Sequence, residues 1–234
     1  MFVSAVIVAG GVGRRIGSST PKQFLRIADK PILQYTLEKF DACRLIDEII
    51  CVLPLRLVAS WESVIRNEWQ IRKAAKIVGG GEERYQSVLA GLDAVSPATE
   101  IVMIHDGVRP FVSERILAEN VRAAAEFGAA VTALPPKDTI KRLCGPQKLE
   151  TLDRAQLVQA QTPQTFRIEL IRRAYQVALQ DGFFSTDDSA LVERLGEPVA
   201  VVEGEWRNIK ITSPEDLLLA EVLLTHEVSH RTRI

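Results

Sequence analysis

Along the 234-residue chain, short apolar runs alternate with stretches whose apolar positions recur every third or fourth residue. Runs at Phe2–Ala9, Glu48–Leu53, Ala75–Val78, Ile101–His105, Ala129–Leu134 and Val199–Val202 are rich in Val and Ile and bounded by Gly, Pro or Asp. Each predicts a strand. Between them, PILQYTLEKFDA, RYQSVLAGLDAV, SERILAENVRAAAEF and ELIRRAYQVALQ carry the helical period. Strands apolar on both faces and separated by helices predict an α/β fold: a mainly parallel sheet with helices on both faces.

One region breaks the rhythm. From Lys137 to Gln161 the chain is mixed and polar, with Gly145 and Pro146 between DTIKRL and KLETLD, which predicts a projecting β-hairpin arm. An isolated hairpin is marginal in water, so this one needs support, either from its own domain or from a second copy of the chain. No repeat, low-complexity tract or linker divides the sequence, and a single domain over residues 1–234 is expected. Near the end, Ser213, Pro214 and Asp216 predict a capped helix start, with Lys210 just before it at the end of a strand.

Composition narrows the choices. Twenty-nine Lys and Arg stand against 30 Asp and Glu, so no global basic field steers the protein to nucleic acid or an anionic membrane, and anion binding has to be local. Cys43, Cys51 and Cys144 are odd in number and widely spaced, which predicts reduced structural thiols rather than a disulfide framework or zinc site. The apolar N-terminus lacks a basic leader, and no run reaches membrane-spanning length. A soluble cytoplasmic protein is expected.

Chemistry gathers first in VIVAGGVGRRIGSSTPKQF, residues 6–24, where three glycines follow a buried strand and three cations follow the glycines. Gly10, Gly11 and Gly13, next to Ala9, let backbone N–H groups surround a polyphosphate. A dinucleotide fingerprint fails because Gly17 is one residue late, and a Walker loop fails because Lys22 follows Pro21. Arg15 and Lys22 add full charges at one point, as a displacement at phosphorus requires.

In order along the chain, AGGVGRR with PKQFL, GGEERYQSV, HDGVRPF, DTIKR, QTPQTF, TDDSALVE and NIKITSPEDL resemble the 2-C-methyl-D-erythritol 4-phosphate cytidylyltransferases. The sister ribitol 5-phosphate cytidylyltransferases share several of these words, but GFFSTDDSALVERLGEPVAVVEG is more similar to the methylerythritol enzymes. Departures from the usual family pattern fall at Val8 to Gly11, at Ile16 and in HDGVRP, and leave the charged positions intact. The resemblance implies a Rossmann-like fold of the nucleotide-diphospho-sugar transferase type. It also implies transfer of a cytidylyl group from CTP to an alcohol phosphate, with pyrophosphate released. Three other readings stay open: a ribitol acceptor, a nucleotide-binding dehydrogenase, and a non-catalytic nucleotide-binding protein.

The resemblance also assigns roles. Arg15, Lys22 and Lys210 match the cations at the triphosphate. Gly80, Gly81, Glu82 and Ser87, in GGEERYQS, match the base-reading segment, although Glu82 and Glu83 serve equally well to start a helix. Thr139 and Arg154, with Asp138 nearby, match arm residues that reach the acceptor phosphate of the neighbouring subunit in a homodimer with exchanged arms. Thr162 and Thr186 match further positions near the substrate.

HDGVRP ends an apolar strand. A carboxylate beside a triphosphate calls for a divalent cation between them, so Asp106 is expected to hold Mg2+, directly or through water, unless it caps the SERIL helix instead. Arg109 offers a planar fork suited to phosphate or a hydroxyl-rich acceptor. His105 is left structural, because a phosphate monoester is already anionic near neutral pH and needs no base.

Overall fold

The computed structural model describes residues 1–11 and 21–231. In chain order the strands and helices begin with β1 (Phe2–Val8), the short ribbon β2 (Arg26–Ile27) and β3 (Lys30–Pro31), α1 (Ile32–Ala42), β4 (Glu48–Pro54) and α2 (Val58–Ser63). Then come β5 (Ala74–Gly80), α3 (Arg84–Ala94), β6 (Thr99–Asp106), α4 (Glu114–Phe127) and β7 (Ala129–Leu134). The remainder is β8 (Lys141–Leu143), β9 (Leu149–Thr151), β10 (Gln159–Arg167), α5 (Ile168–Gln180), α6 (Ser189–Arg194), β11 (Ala200–Glu203) and α7 (Pro214–Arg231).

Seven strands form the main sheet in the order β11-β7-β10-β6-β1-β4-β5. All pairs are parallel except those of β10, which runs antiparallel between β6 and β7. The chain winds from β1 outward to β4 and β5, then returns to place β6 on the other side of β1. The β1–β6 junction is thus a point where winding reverses, and at its carboxyl end the two departing chains diverge and leave a crevice.

β1 explains why the predicted strands lack polar alternation. Val3, Ala5 and Ile7 pack into one buried layer with Leu33, Leu37 and Phe40 of α1, while Val6 joins a second with Val88 and Leu92 of α3 and Tyr175 of α5. Successive side chains point to opposite faces, and both faces are covered by helices.

The six predicted strands are present, within two residues at either end. The seventh, β10, was not expected, because QAQTPQTFR is polar and holds a proline. It is stable in the sheet because its buried polar groups are paired. Asn120 of α4 donates to Thr132 Oγ1 at 2.8 Å, and that hydroxyl donates to the Pro163 carbonyl at 2.7 Å. The register slips between Ala160 and Gln164, where Pro163 has no N–H to give.

The arm forms as expected, with β8 and β9 joined across Gly145 at φ +139°, a conformation that favours glycine. Cys144 donates its N–H to the Lys148 carbonyl and closes the turn. The last helix has its reciprocal cap: Asp216 N–H donates to Ser213 Oγ at 3.3 Å and Ser213 N–H to Asp216 Oδ2 at 2.8 Å. One expectation fails here. Lys210 does not end a sheet strand; its segment follows a turn and is unpaired in the sheet, tethered by Ile211 N–H to the Val108 carbonyl at 2.9 Å.

Candidate active site

Close backbone approach makes one wall of the crevice. A Cβ on Gly10 would lie 2.8 Å from Ser87 Oγ, and one on Gly80 would meet the same hydroxyl and come within 3.1 Å of Val52 Cγ1. Any side chain at either glycine would displace Ser87, which is buried on the first turn of α3. That helix is capped by Glu83, whose own N–H donates to Gln86 Oε1 at 3.0 Å. Glu83 thus serves the helix start. Ala9, Gly10, Gly11, Lys22, Gly81, Glu82, Ser87, Asp106 and Lys210 line the resulting cavity of about 150 Å³, together with Arg84. The N-terminus of α3 faces it, which favours anions.

Charge converges on Asp106, the last residue of β6, which is only 6% exposed. Lys210 Nζ is 2.9 Å from Oδ2, Arg109 Nε 3.5 Å from Oδ2, and Arg84 Nε 3.6 Å from Oδ1. Burial alone would raise the Asp106 carboxyl, yet Lys210, Arg84 and Arg109 overcome it and hold the group well below the usual carboxylate range. Asp106 does not cap α4, since Ser113 does so by accepting from Ile116 N–H at 3.3 Å. Lys22, Arg84 and Lys210 line the cavity together with the buried Asp106 and the exposed Glu82 and Glu83, and Arg109 and Asp188 lie behind it, paired with Asp106 and Arg84. Three cations thus converge on the only buried carboxylate among the described lining residues, and together with the start of α3 they offer an anion several positive partners.

Arg84 and Asp188 are functional candidates that sequence reading did not single out. Arg84 donates through both terminal nitrogens to Asp188, at 2.9 and 2.7 Å, and Tyr175 hydroxyl donates to the same carboxylate at 2.6 Å. Burial would lower Arg84, but Asp188 and Asp106 outweigh it and raise the guanidinium above its ordinary value. Asp188 is itself fixed, because its N–H and that of Ser189 both donate to Gln164 Oε1 at 3.0 Å.

Behind Asp106 lies a second network. His105 is fully buried, with Nδ1 at 3.1 Å from Thr162 Oγ1 and Nε2 at 3.2 Å from the Arg109 carbonyl. Asp106 N–H donates to that same Thr162 oxygen at 3.1 Å. Burial pulls the imidazole down to about 4, so it is neutral near pH 7. Arg109 donates to the Asn208 carbonyl at 2.8 Å, while its Nε has no hydrogen-bond partner.

Of the predicted residues, Gly13 and Arg15 lie outside the described residues. Lys22 opens a short turn anchored on both sides: Gln23 Nε2 donates to the Ala9 carbonyl at 2.7 Å, and Phe24 stacks on Trp61 with ring centroids 3.8 Å apart. Thr162 sits beneath the cavity, and its hydroxyl faces His105 and Asp106. Thr186 is exposed on the loop before α6. Thr139 and Arg154 are exposed on the arm, where Arg154 donates to the Lys137 carbonyl at 3.0 Å, and neither lines the cavity of its own chain.

No group of three or more His, Cys, Asp or Glu with metal-holding geometry occurs among the described residues. Asp106 is the only buried carboxylate among the described residues that line the cavity, a donor set that fits an ion taking most of its ligands from phosphate and water, as Mg2+ does. A larger groove of about 800 Å³, bounded by α1, the start of α4 and α7, shows no such convergence. There Lys30 pairs with Glu38 at 3.0 Å, and Glu205 accepts from Ser113 and Arg115.

The chain is similar to known proteins over nearly its whole length. Residues 3–226 match the family described as 2-C-methyl-D-erythritol 4-phosphate cytidylyltransferase. A relative of that name from Syntrophus aciditrophicus (strain SB) is 47% identical over 226 residues, covering 96% of this chain and 97% of the relative. Another from Geobacillus kaustophilus (strain HTA426) is 42% identical over 229 residues, covering 98% and 100%. Among solved structures, 4-diphosphocytidyl-2C-methyl-D-erythritol synthase from Anaerococcus prevotii DSM 20548 superposes with a TM-score of 0.84 at 35% identity, covering 96% of each chain. The cytidylyltransferase from Thermus thermophilus gives 0.76 at 36% identity, covering 95% of this chain and 98% of the other.

Proposed function

Because the chain belongs to the 2-C-methyl-D-erythritol 4-phosphate cytidylyltransferase family, we propose how its residues carry out that family's reaction. The enzyme is a nucleotidyltransferase: it moves a cytidylyl group from CTP to 2-C-methyl-D-erythritol 4-phosphate in isoprenoid precursor biosynthesis by the non-mevalonate pathway. An oxygen of the acceptor phosphate attacks the α-phosphorus of CTP. The bond from that phosphorus to the bridging oxygen breaks, and pyrophosphate leaves with the electron pair. No covalent enzyme intermediate is needed, so the protein's task is to orient two anions and stabilise charge.

One observation carries the assignment of roles: the cluster of Lys210, Arg84 and Arg109 around the buried Asp106 at the end of β6. Lys22 and Arg15 hold the triphosphate from the glycine-loop side, with Lys210 opposite at the α-phosphate. Gly10 and Gly11 let main-chain N–H groups approach the phosphates. Gly80, Gly81 and Ser87 read the edge of the cytosine, and the snug Ser87 contact excludes bulk there. Arg109 and Asp106 place the acceptor. Asp106 would hold Mg2+, and the ion when bound would supply neutralisation of negative charge at the phosphates.

The active form is a homodimer with exchanged arms. Supporting this, Leu143, Leu149 and Val158 of the arm are 80%, 58% and 54% exposed in the single chain, and an unsupported hairpin of this size is marginal. Arg154 and Thr139 then act in the partner's crevice. A cytoplasmic location is supported by the three cysteines, all free and two of them buried.

The test is pyrophosphate release with each of the four NTPs, in the presence of 2-C-methyl-D-erythritol 4-phosphate or ribitol 5-phosphate. Turnover is expected with CTP and the methylerythritol acceptor. Preference for ribitol 5-phosphate, or no release with CTP, overturns the reading.

A further inference from the structure

The network behind Asp106 contains a forced choice of protons. The Arg109 carbonyl can only accept, so the ring nitrogen 3.2 Å from it, His105 Nε2, must carry a hydrogen. A neutral imidazole has one N–H, which leaves Nδ1 as an acceptor. Its partner, Thr162 Oγ1 at 3.1 Å, must therefore give its only hydrogen to His105. The same oxygen receives Asp106 N–H at 3.1 Å. Protons thus run one way, from Asp106 N–H to Thr162, from Thr162 to His105, and from His105 to the Arg109 carbonyl.

From this the geometry points to His105 and Thr162 as positioning residues that act as one unit: they hold Asp106 and Arg109 at a fixed separation, and Thr162 has no proton to donate to the acceptor phosphate. The inference rests on the proposed function only in what the pair is positioned for. The ring reaches across the turn that Arg109 N–H closes onto the Asp106 carbonyl at 3.0 Å, so both ends of the turn are fastened to β10 through one hydroxyl. Phe40, with its ring centroid 4.8 Å from that of the imidazole, holds the ring from the far side. Asp106 and Arg109 belong to different ends of the turn, and without the fastening their side chains keep only the long contact of Arg109 Nε with Asp106 Oδ2 at 3.5 Å and the Arg109 bond to the Asn208 carbonyl at 2.8 Å to set their separation.

The experiment has two arms. The first reads the tautomer directly by 15N NMR of His105 in the free protein, without reference to turnover. A protonated Nε2 with a bare Nδ1 near neutral pH is expected, and a protonated Nδ1 or an imidazolium overturns the proton order. The second compares Thr162→Val, His105→Phe and their double variant, each first shown by calorimetry to unfold cooperatively, with Thr162→Ser as the conservative exchange. Each single variant should lower kcat on the order of 10²-fold, as a displacement of about 1 Å at reacting groups commonly does. The KM for CTP should change little, and Thr162→Ser should recover most of the loss. The double variant should be no worse than the poorer single, because both break one chain. If Thr162 instead donates to the acceptor, Thr162→Val raises the KM of the acceptor and adds fully to His105→Phe, and the inference is wrong. Should the wild-type protein show no cytidylyl transfer, the proposed reaction fails while the NMR arm still decides the proton order.

Discussion

Asp188 grips Arg84 at two points, 2.9 and 2.7 Å, across 104 residues of chain, and leaves the third guanidinium nitrogen facing Asp106. Without Asp188, whose side chain is 1% exposed, Arg84 at 20% exposure keeps only its 3.6 Å contact with Asp106, and the Tyr175 hydroxyl loses its acceptor. Removing one side of a buried pair is costly. Asp188→Ala should lower the free energy of unfolding by about 3 kcal/mol and weaken CTP binding, as Arg84 loses its orientation. Urea denaturation with parallel CTP titration reads both, and a variant with unchanged stability removes Asp188 from this account.

Lys22→Ala separates binding from chemistry. A positioned charge acts mainly where charge develops, so turnover should fall by about 10²- to 10³-fold while CTP still binds measurably. Single-turnover kinetics and equilibrium binding distinguish the two. Wild-type turnover in this variant would exclude Lys22 from the mechanism, as it would for Lys210→Ala, whose removal also leaves Asp106 with Arg84 and Arg109 alone.

Acid should expose the buried histidine. The folded value of His105 lies at about 4, below its ordinary 6.5, so between those values the unfolded chain binds a proton that the native protein refuses. Stability is then complete above about 6.5 and declines as pH falls toward 4, by on the order of 3 kcal/mol from this group. His105→Phe has no such proton to bind. Its urea midpoint should fall less steeply across that window than the wild-type midpoint, and parallel slopes would contradict the assignment. At lower pH the loss continues in both proteins as Asp106, held down by its three cations, is protonated.

How legible this was in the sequence depended on what kind of residue fills the interior. β1, β4, β6 and β7 announce themselves because their buried positions are aliphatic and both faces are covered. β10 does not, because Thr162, Gln164 and Thr165 are as buried as the aliphatic strands but are satisfied by His105 and the Asp106 N–H of β6, by the N–H groups of Asp188 and Ser189, and by Asn120 of α4. A hydropathy pattern reads such residues as exposed. The glycine loop and HDGVRP could be found because their chemistry is concentrated in short words. Arg84 and Asp188 could not be paired, since the partners are far apart in sequence and each stands inside a word with another obvious use: a helix start at GGEER, a cap at TDDS. The arm's turn was readable from Gly145 and Pro146, yet nothing local says what its exposed leucines touch.

Exchange of arms makes a prediction of its own, independent of any structure of the dimer. Suppose each crevice uses Lys22 from its own chain and Arg154 from the partner. Lys22→Ala and Arg154→Ala homodimers are then both impaired at every site. In a mixed dimer, one crevice combines the Lys22→Ala body with the Arg154→Ala arm and is doubly damaged, while the other combines an intact body with an intact arm. Random reassortment puts half of the dimers in the mixed form with one working site of two, so unfolding and refolding the two variants together should restore about a quarter of wild-type turnover. If Arg154 acted within its own chain, every crevice in the mixture would carry one lesion and no activity would return. Activity measured before and after reassortment, with sedimentation to establish the dimer, decides between the two arrangements.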